Sequence, residues 1–253
     1  MKIKEIPIFF AIDDQYAPYV SCAITSIIEN SSKEYNYKIY VLHDNCSKEN
    51  ISKISKLQCE GFDIIFKEMK EGLESITDRV ENRLRCDYFT LTIYFRLFIA
   101  DMFPGYDKGI YIDSDIIVPG DISELYNKEL GDNFIGASTD NSIQGVPELT
   151  KYVEEAVGVK RLEYVNSGVL VMNLKKMRDT EFSKKFLTLL NTYHFDSLAP
   201  DQDYLNAMCN GKILYLNEEW DAMPTEGKDE IKNPKLIHYN LFQKPLCYDN
   251  IQY

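Results

Sequence analysis

The sequence predicts an α/β fold, a mostly parallel twisted central sheet flanked by helices, and three observations carry that expectation. Apolar runs and helical patterns alternate as strand, helix, strand, helix, strand through residues 6–66, the rhythm of a doubly wound sheet. The first run, IPIFFAI at 6–12, is apolar almost without interruption, as a buried strand is. Acidic residues stand just past strand ends at Asp13, Asp14, Asp113 and Asp115. In open α/β sheets, ligands bind outside those carboxyl ends.

Taken in order, the strand at 6–12 is followed by Val20, Ala23, Ile24, Ile27 and Ile28 on one helical face, with Pro18 placed to enter the first turn. No GxGxxG follows residue 12, so a dinucleotide fold of the usual kind is not expected. A strand at 37–42 precedes a helix capped by Ser47 and carrying Ile51, Ile54 and Leu57; another strand runs over 62–66. Residues 92–103, TIYFRLFIADMF, are apolar almost all round and predict a buried helix. Arg96 is its one cation, and a guanidinium there needs an anion, either a structural carboxylate or a phosphate-bearing ligand. Further strands are expected at 109–112, 134–138, 169–174 and 212–216, with Asp140 just past the second of these. Phe182, Phe186, Leu189 and Leu190 share a core-facing helix side, and Pro200-Asp201-Gln202-Asp203 reads as another helix start. Leu236-Ile237-His238-Tyr239 forms a short last strand, with Lys244-Pro245 beyond it.

The chain is organised around KGIYIDSDIIVPGDISELY, residues 108–126. Asp113 and Asp115 are embedded between apolar strand residues, and Asp121 follows Pro119-Gly120 as a helix N-cap. Two carboxylates in such surroundings are costly unless something positive neutralises them, and a divalent metal does so. The bare Asp-x-Asp pattern recurs at Asp201/Asp203, and a polar strand end explains it equally well without the apolar flanks. His43 and His194 read as core histidines. His238 competes as a third metal donor, and a mixed carboxylate and imidazole set favours Mn²⁺ over Mg²⁺ or Ca²⁺.

Composition narrows the partners. Forty acidic residues against 28 basic give a net charge of −12, and no basic cluster tracks a phosphate backbone, so nucleic acid is not expected. Six scattered cysteines without a CxxC pair fit reduced thiols and a cytoplasmic location. The N-terminus reads as a first strand rather than a signal peptide, and no apolar run reaches transmembrane length. Peripheral membrane contact through a local patch stays open. With no long linker or repeat, residues 1–253 read as one domain, a nucleotide-binding half to about residue 120 and an acceptor half from about 121.

In these residues the chain resembles glycosyltransferase family 8. The similarity runs from FFAIDDQY (9–16) to HYNLFQKP (238–245). The family comprises retaining, metal-dependent enzymes of the GT-A fold that use nucleotide sugars, among them bacterial lipopolysaccharide galactosyl- and glucosyltransferases and, more distantly, glycogenin. The resemblance implies that Ala11, Asp13 and Gln15 receive the uracil and ribose, and that Arg96, in YFRL, lies near the donor sugar and phosphates. It implies a metal held by Asp113, Asp115 and His238, with Ser114 between them also touching the donor. Asn166, in YVNSGVLVMNLKK, matches an asparagine at the sugar. Asp201 and Gln202, in PDQDYLN, match the pair beside the reacting carbon, and Lys244 the lysine on the diphosphate. Asp140, Pro224 and Thr225 match acceptor-side positions.

Three departures stand out. Leu241 replaces a glycine usual three residues after the metal histidine, which alters how closely backbone can approach a phosphate. Gln15 replaces a shorter amide. Relatives often continue past Lys-Pro into a basic, aromatic segment, whereas this sequence ends at Tyr253. The expected activity is transfer of glucose or galactose from a UDP-sugar to a glycan or glycolipid, with Mn²⁺, or Mg²⁺ in its place. The competing readings are a sugar-nucleotide pyrophosphorylase, which normally opens with a Gly-rich phosphate loop, and a non-catalytic nucleotide- or glycan-binding module.

Overall fold

The computed structural model describes residues 4–69, 91–143, 146–193, 195, 199–225, 227, 229–240, 244–247, 249 and 251–253. Cys86, His194, Glu226 and Leu241 lie outside the described residues.

Strand β1 (Lys4–Ile12) passes through a 3-10 turn (Asp14–Tyr16) into helix α1 (Ala17–Asn30). Helix α1 buries Val20, Ala23, Ile24 and Ile27, the face its apolar spacing defines, and carries Pro18 in its first turn. Strand β2 (Tyr35–His43), helix α2 (Lys48–Ser55) and strand β3 (Phe62–Glu68) follow, with the Ser47 hydroxyl accepting from the Asn50 N–H as the α2 cap. The expected helix over 92–103 is a correction. Its first part is a 3-10 segment (Leu91–Leu97), and only the short α3 (Ile99–Met102) is α-helical. All-round apolarity reported burial there, not helical period.

The remaining elements are β4 (Gly109–Ile112), β5 (Ile116–Ile117), α4 (Ile122–Tyr126), β6 (Ile135–Ala137), α5 (Pro147–Tyr152) with a π-helical continuation (Val153–Val157), and β7 (Val169–Met172). They are followed by α6 (Leu174–Asp179), α7 (Phe182–Thr192), α8 (Pro200–Cys209), β8 (Ile213–Tyr215) and β9 (Ile237–His238). Asp121 caps α4 as expected, accepting from the Ser123 N–H at 2.9 Å.

Among the described residues, one sheet holds seven strands in the order β3-β2-β1-β4-β7-β6-β8. Only β7 runs against the others: it is antiparallel to both β4 and β6, while every other pairing is parallel. Alternate residues of β1 feed opposite faces, Phe9 into one apolar cluster and Ile8 and Phe10 into the other. Each such fully buried Ile or Phe contributes about 1.5–3 kcal/mol.

Two topological features position the site. Because β7 is reversed, its beginning meets the end of β4, and the Asp113 N–H donates to the Gly168 carbonyl at 2.8 Å. Strands β5 and β9 form a separate two-stranded ribbon in which Ile116 faces His238. The Tyr239 N–H donates to the Asp115 carbonyl at 2.9 Å. The ribbon thereby brings residue 238 beside a motif more than a hundred residues earlier in the chain.

Candidate functional site

The site is built where β4 ends. Asp113 and Asp115 leave that strand, and β9 delivers His238 from across the ribbon. His238 Nε2 lies 3.8 Å from Asp113 Oδ2 and 3.6 Å from Asp115 Oδ1. One ligand atom from each of the three falls within 4.8 Å of the others. Two carboxylates and an imidazole, converging from two segments, form a donor set suited to a divalent cation. Lys244 donates to Asp115 Oδ2 and, at 2.7 Å, to the Tyr239 carbonyl. Burial would raise the Asp115 carboxyl, but His238 and Lys244 outweigh it and hold the group well below the usual range. On His238, burial disfavours charge, yet Asp221 and Asp115 override it and raise the imidazole to about 10.

Gly168 explains how the groups fit so closely. A Cβ there would overlap His238 Cε1 and stand 2.7 Å from Asp113 Oδ2. Only glycine lets β7 begin at that distance from the carboxylate.

Arg96 joins this cluster to a second one. Its side chain is 5% exposed, with Nη2 2.9 Å from Asp113 Oδ1 and Nε 3.1 Å from Asp201 Oδ2. The guanidinium also stacks over Tyr111, 4.4 Å from the ring centre, and the Tyr111 hydroxyl donates to Asp113 Oδ1 at 2.7 Å. Of the two readings left open for this residue, a carboxylate partner is the one observed, twice over. Burial works against the charge of Arg96, but Asp113 and Asp201 keep it firmly protonated. For Asp201 burial prevails over the pull of Arg96, and its carboxyl is raised.

Helix α8 presents Asp201 and Gln202 from its first turn. Gln202 Oε1 accepts from the Ser167 N–H at 2.9 Å, and its Nε2 donates to Asp140 Oδ2 at 2.8 Å. Asp140 Oδ1 accepts from the Ser142 N–H at 2.9 Å, and the Asn166 amide approaches Asp140 Oδ2 at 3.5 Å. Asn166 Oδ1 in turn accepts from the Gly168 N–H at 2.8 Å. Asp140, Asn166, Ser167 and Gln202 therefore form one continuous polar network, all of it buried.

The other expected site residues distribute as follows. Ser114 is buried between the two aspartates. Ala11, Asp13 and Gln15 lie at the end of β1, which neighbours β4 in the sheet. Asp13 Oδ1 caps the following turn by accepting from the Gln15 and Tyr16 N–H groups at 3.0 and 3.2 Å. Asp14 does not turn toward the cleft. It ties β1 to α2, accepting from the Ser47 N–H at 2.6 Å and the Asn50 amide at 2.9 Å. Pro224 is half-buried, and the Thr225 N–H donates to Gln252 Oε1 at 2.7 Å. Asp203, of the second Asp-x-Asp, accepts from Tyr164 at 2.6 Å and Tyr152 at 2.9 Å.

Sequence reasoning missed Asp221, Gly168 and Ser167. Asp221 Oδ1 pairs with His238 Nδ1 at 2.9 Å. The NSGV run could have flagged Gly168, since a glycine immediately before an apolar strand suggests close backbone approach. Nothing local in the sequence marks Asp221.

The profile described as Glycosyl transferase family 8 matches residues 7–246. A Haemophilus influenzae protein whose name assigns it only to the glycosyltransferases is 30% identical over 234 residues, 91% of this chain and 67% of that one. The lipopolysaccharide 1,2-glucosyltransferase of Escherichia coli K12 is 28% identical, covering 96% of this chain and 75% of its own length. Among solved structures, the galactosyltransferase LgtC in complex with donor and acceptor sugar analogues superposes with a TM-score of 0.82 at 26% identity, over 96% of this chain and 90% of that one. The bifunctional transferase WbbM has a TM-score of 0.81 at 24% identity and shares the fold; this chain spans 48% of its length. No helix among the described residues is long and apolar enough to cross a membrane. The chain belongs to glycosyltransferase family 8, and its fold is the GT-A α/β fold.

Proposed function

We propose that the protein is a retaining, metal-dependent hexosyltransferase that moves glucose or galactose from a UDP-sugar to a glycan or glycolipid acceptor. The observation that carries this is the convergence of Asp113, Asp115 and His238 at the carboxyl end of β4, with Lys244 beside them. Mn²⁺ is the cation the mixed oxygen and nitrogen donors favour, with Mg²⁺ as the alternative. When bound, it supplies positive charge where the departing diphosphate becomes negative.

The protein groups have distinct parts in this reading. Lys244 turns from Asp115 to the diphosphate and stabilises the same developing charge. The end of β1, with Ala11, Asp13 and Gln15, receives the nucleoside, and Ser114 and Asn166 meet the donor. The C1–O bond breaks with its electron pair passing to the diphosphate, leaving C1 oxocarbenium-like. The acceptor hydroxyl attacks from the face the leaving group vacates, and its proton passes to a β-phosphate oxygen. Gln202 and Asp201 position the sugar on the other face. Support for a positioning rather than nucleophilic Gln202 comes from its amide, whose oxygen accepts from Ser167 while its nitrogen is spent on Asp140. Asp140, Pro224 and Thr225 are assigned to the acceptor side. Residues before and after about 120 contribute neighbouring strands to one sheet, which supports a single catalytic domain; the reading puts that domain in the cytoplasm, in peripheral contact with membrane when the acceptor is a lipid.

A panel of UDP-sugars with Mn²⁺, scored for UDP release, tests the reading. Turnover of UDP-glucose or UDP-galactose is expected. Metal-dependent UDP binding without turnover would favour a binding module, and release from GDP- or CMP-sugars alone would break the donor assignment. A glycosyl adduct trapped on residue 202 would overturn same-face attack.

A further inference from the structure

We infer that Asp221 is a positioning residue for the metal centre: it fixes the tautomer and aim of His238 so that Nε2 faces the cation. The inference rests on the metal reading of Asp113, Asp115 and His238 and assigns a role to a residue outside that set.

The geometry divides the two ring nitrogens cleanly. Nε2 faces the two aspartates at 3.8 and 3.6 Å, and Nδ1 faces Asp221 Oδ1 at 2.9 Å. An ionised carboxylate only accepts hydrogen bonds. Asp221 therefore holds a proton on Nδ1 and leaves Nε2 as the nitrogen that gives up its proton when a cation binds. Metal-bound histidines commonly have such a carboxylate behind them, which orients the ring and raises its basicity.

Backbone pairing holds both partners in place. The His238 N–H donates to the Ala222 carbonyl at 2.9 Å, and the Asp221 N–H donates to the Glu218 carbonyl at 3.0 Å. The residue after Asp221 is thus bonded directly to the strand that carries the histidine.

A second observation shows that Asp221 is poorly suited to a purely structural role. Its side chain is fully buried, and among the described residues Oδ2 has no hydrogen-bond partner. The neighbouring Trp220 Nε1 likewise has no hydrogen-bond partner among the described residues. A buried carboxylate with an unmet oxygen burdens the fold. An amide of the same shape would carry less charge into the interior, so what the carboxylate adds is its effect on His238.

The test is Mn²⁺ affinity without any nucleotide sugar, read from the electron paramagnetic resonance signal of free Mn²⁺, for the parent, Asp221→Asn and Asp115→Asn. Asp221→Asn is expected to weaken Mn²⁺ binding about 10–100-fold, while its melting temperature in chelator stays equal to or above that of the parent. Affinity within twofold of the parent, or a lowered chelated melting temperature with affinity unchanged, overturns the proposal. An independent readout covers a variant that fails to fold: ¹⁵N NMR of the Mg²⁺-loaded parent should show His238 protonated at Nδ1, and protonation at Nε2 instead would sink the assignment. If the parent binds no Mn²⁺, or Asp115→Asn binds as well as the parent, the metal reading itself fails. If Asp115→Asn loses binding and Asp221→Asn keeps it, only the role of Asp221 fails.

Discussion

Replacing Arg96 with Met should destabilise the protein by about 3–5 kcal/mol, the usual consequence of removing one partner from a buried ion pair. The side chain is 5% exposed and lies 2.9 Å from Asp113 and 3.1 Å from Asp201. At an effective dielectric near 20, each attraction is worth about 4 kcal/mol for charges ~4 Å apart, and desolvation of the guanidinium offsets much of the gross gain. The two carboxylates then fare differently. Asp113 is 28% exposed and water relieves it; Asp201 is 5% exposed and is left as a buried, unpaired charge. For a chain of this size, that loss lowers Tm by about 6–20 °C. The deficit should also depend on pH. Burial already raises the Asp201 carboxyl against the pull of Arg96, and without Arg96 it rises further. A carboxyl whose folded pKa exceeds its unfolded one costs stability at neutral pH, and that cost lifts as pH falls through the folded value. Urea unfolding in chelator, followed by the fluorescence of Trp220, should therefore show a smaller deficit near pH 5 than near pH 7. Adding Asp201→Asn to Arg96→Met should recover part of it. A deficit under about 1 kcal/mol, one that does not shrink in acid, or strict additivity of the two substitutions would refute the account.

Three other outcomes follow from the same geometry. Gly168→Ala, whose Cβ would press on His238 and Asp113, should weaken Mn²⁺ binding at least about tenfold, as measured by calorimetric titration. Tyr164→Phe removes a 2.6 Å hydrogen bond to buried Asp203, and urea unfolding should show a loss of about 1–3 kcal/mol while Mn²⁺ affinity stays unchanged. Alkylation near pH 8, mapped by mass spectrometry, should label exposed Cys22, Cys59 and Cys247 before buried Cys46 and Cys209; burial, with Asp14 nearby, pushes the Cys46 thiol to about 11.

The parts of this structure legible in the sequence are those written in local pattern. The first three strands and two helices follow from apolar runs and helical spacing, and the caps at Ser47 and Asp121 follow from their positions ahead of those helices. Asp113 and Asp115 were legible because their apolar flanks made solvated carboxylates implausible. His238 was legible only through the demand for a third donor together with the family resemblance, since one histidine in a short apolar strand carries no signal of its own. Two features escaped local reading because they arise from pairing between distant segments, and a third because of its burial. Nothing within 169–174 says that β7 runs against its neighbours, yet that reversal sets Gly168 against Asp113. The bond between Asp221 and His238 depends on how residue 222 pairs with β9. The 3-10 path of Leu91–Leu97 was hidden because a segment buried on every side has no polar face to betray its period.

The charge inventory of the site constrains how a donor can enter it. Asp113, Asp115, Asp140, Asp201, Asp203 and Asp221 all lie in or beside it, and only Asp113 has substantial exposure. Against these six carboxylates stand Arg96, Lys244 and His238. A nucleoside diphosphate brings further negative charge to a place already short of positive partners. Two adjustments can restore the balance. One is proton uptake, to which the raised carboxyl of Asp201 already inclines. The other is a divalent cation at Asp113, Asp115 and His238. A proton on Asp201 neutralises only a group on the far side of Arg96, whereas on the proposed reading a cation at Asp113, Asp115 and His238 would meet the phosphate oxygens directly. Cation and donor are then linked ligands, and linkage is reciprocal: whatever factor the cation adds to donor affinity, the donor adds to cation affinity. On the proposed reading, a bare site that attracts cations and repels diphosphate favours cation first and nucleotide second.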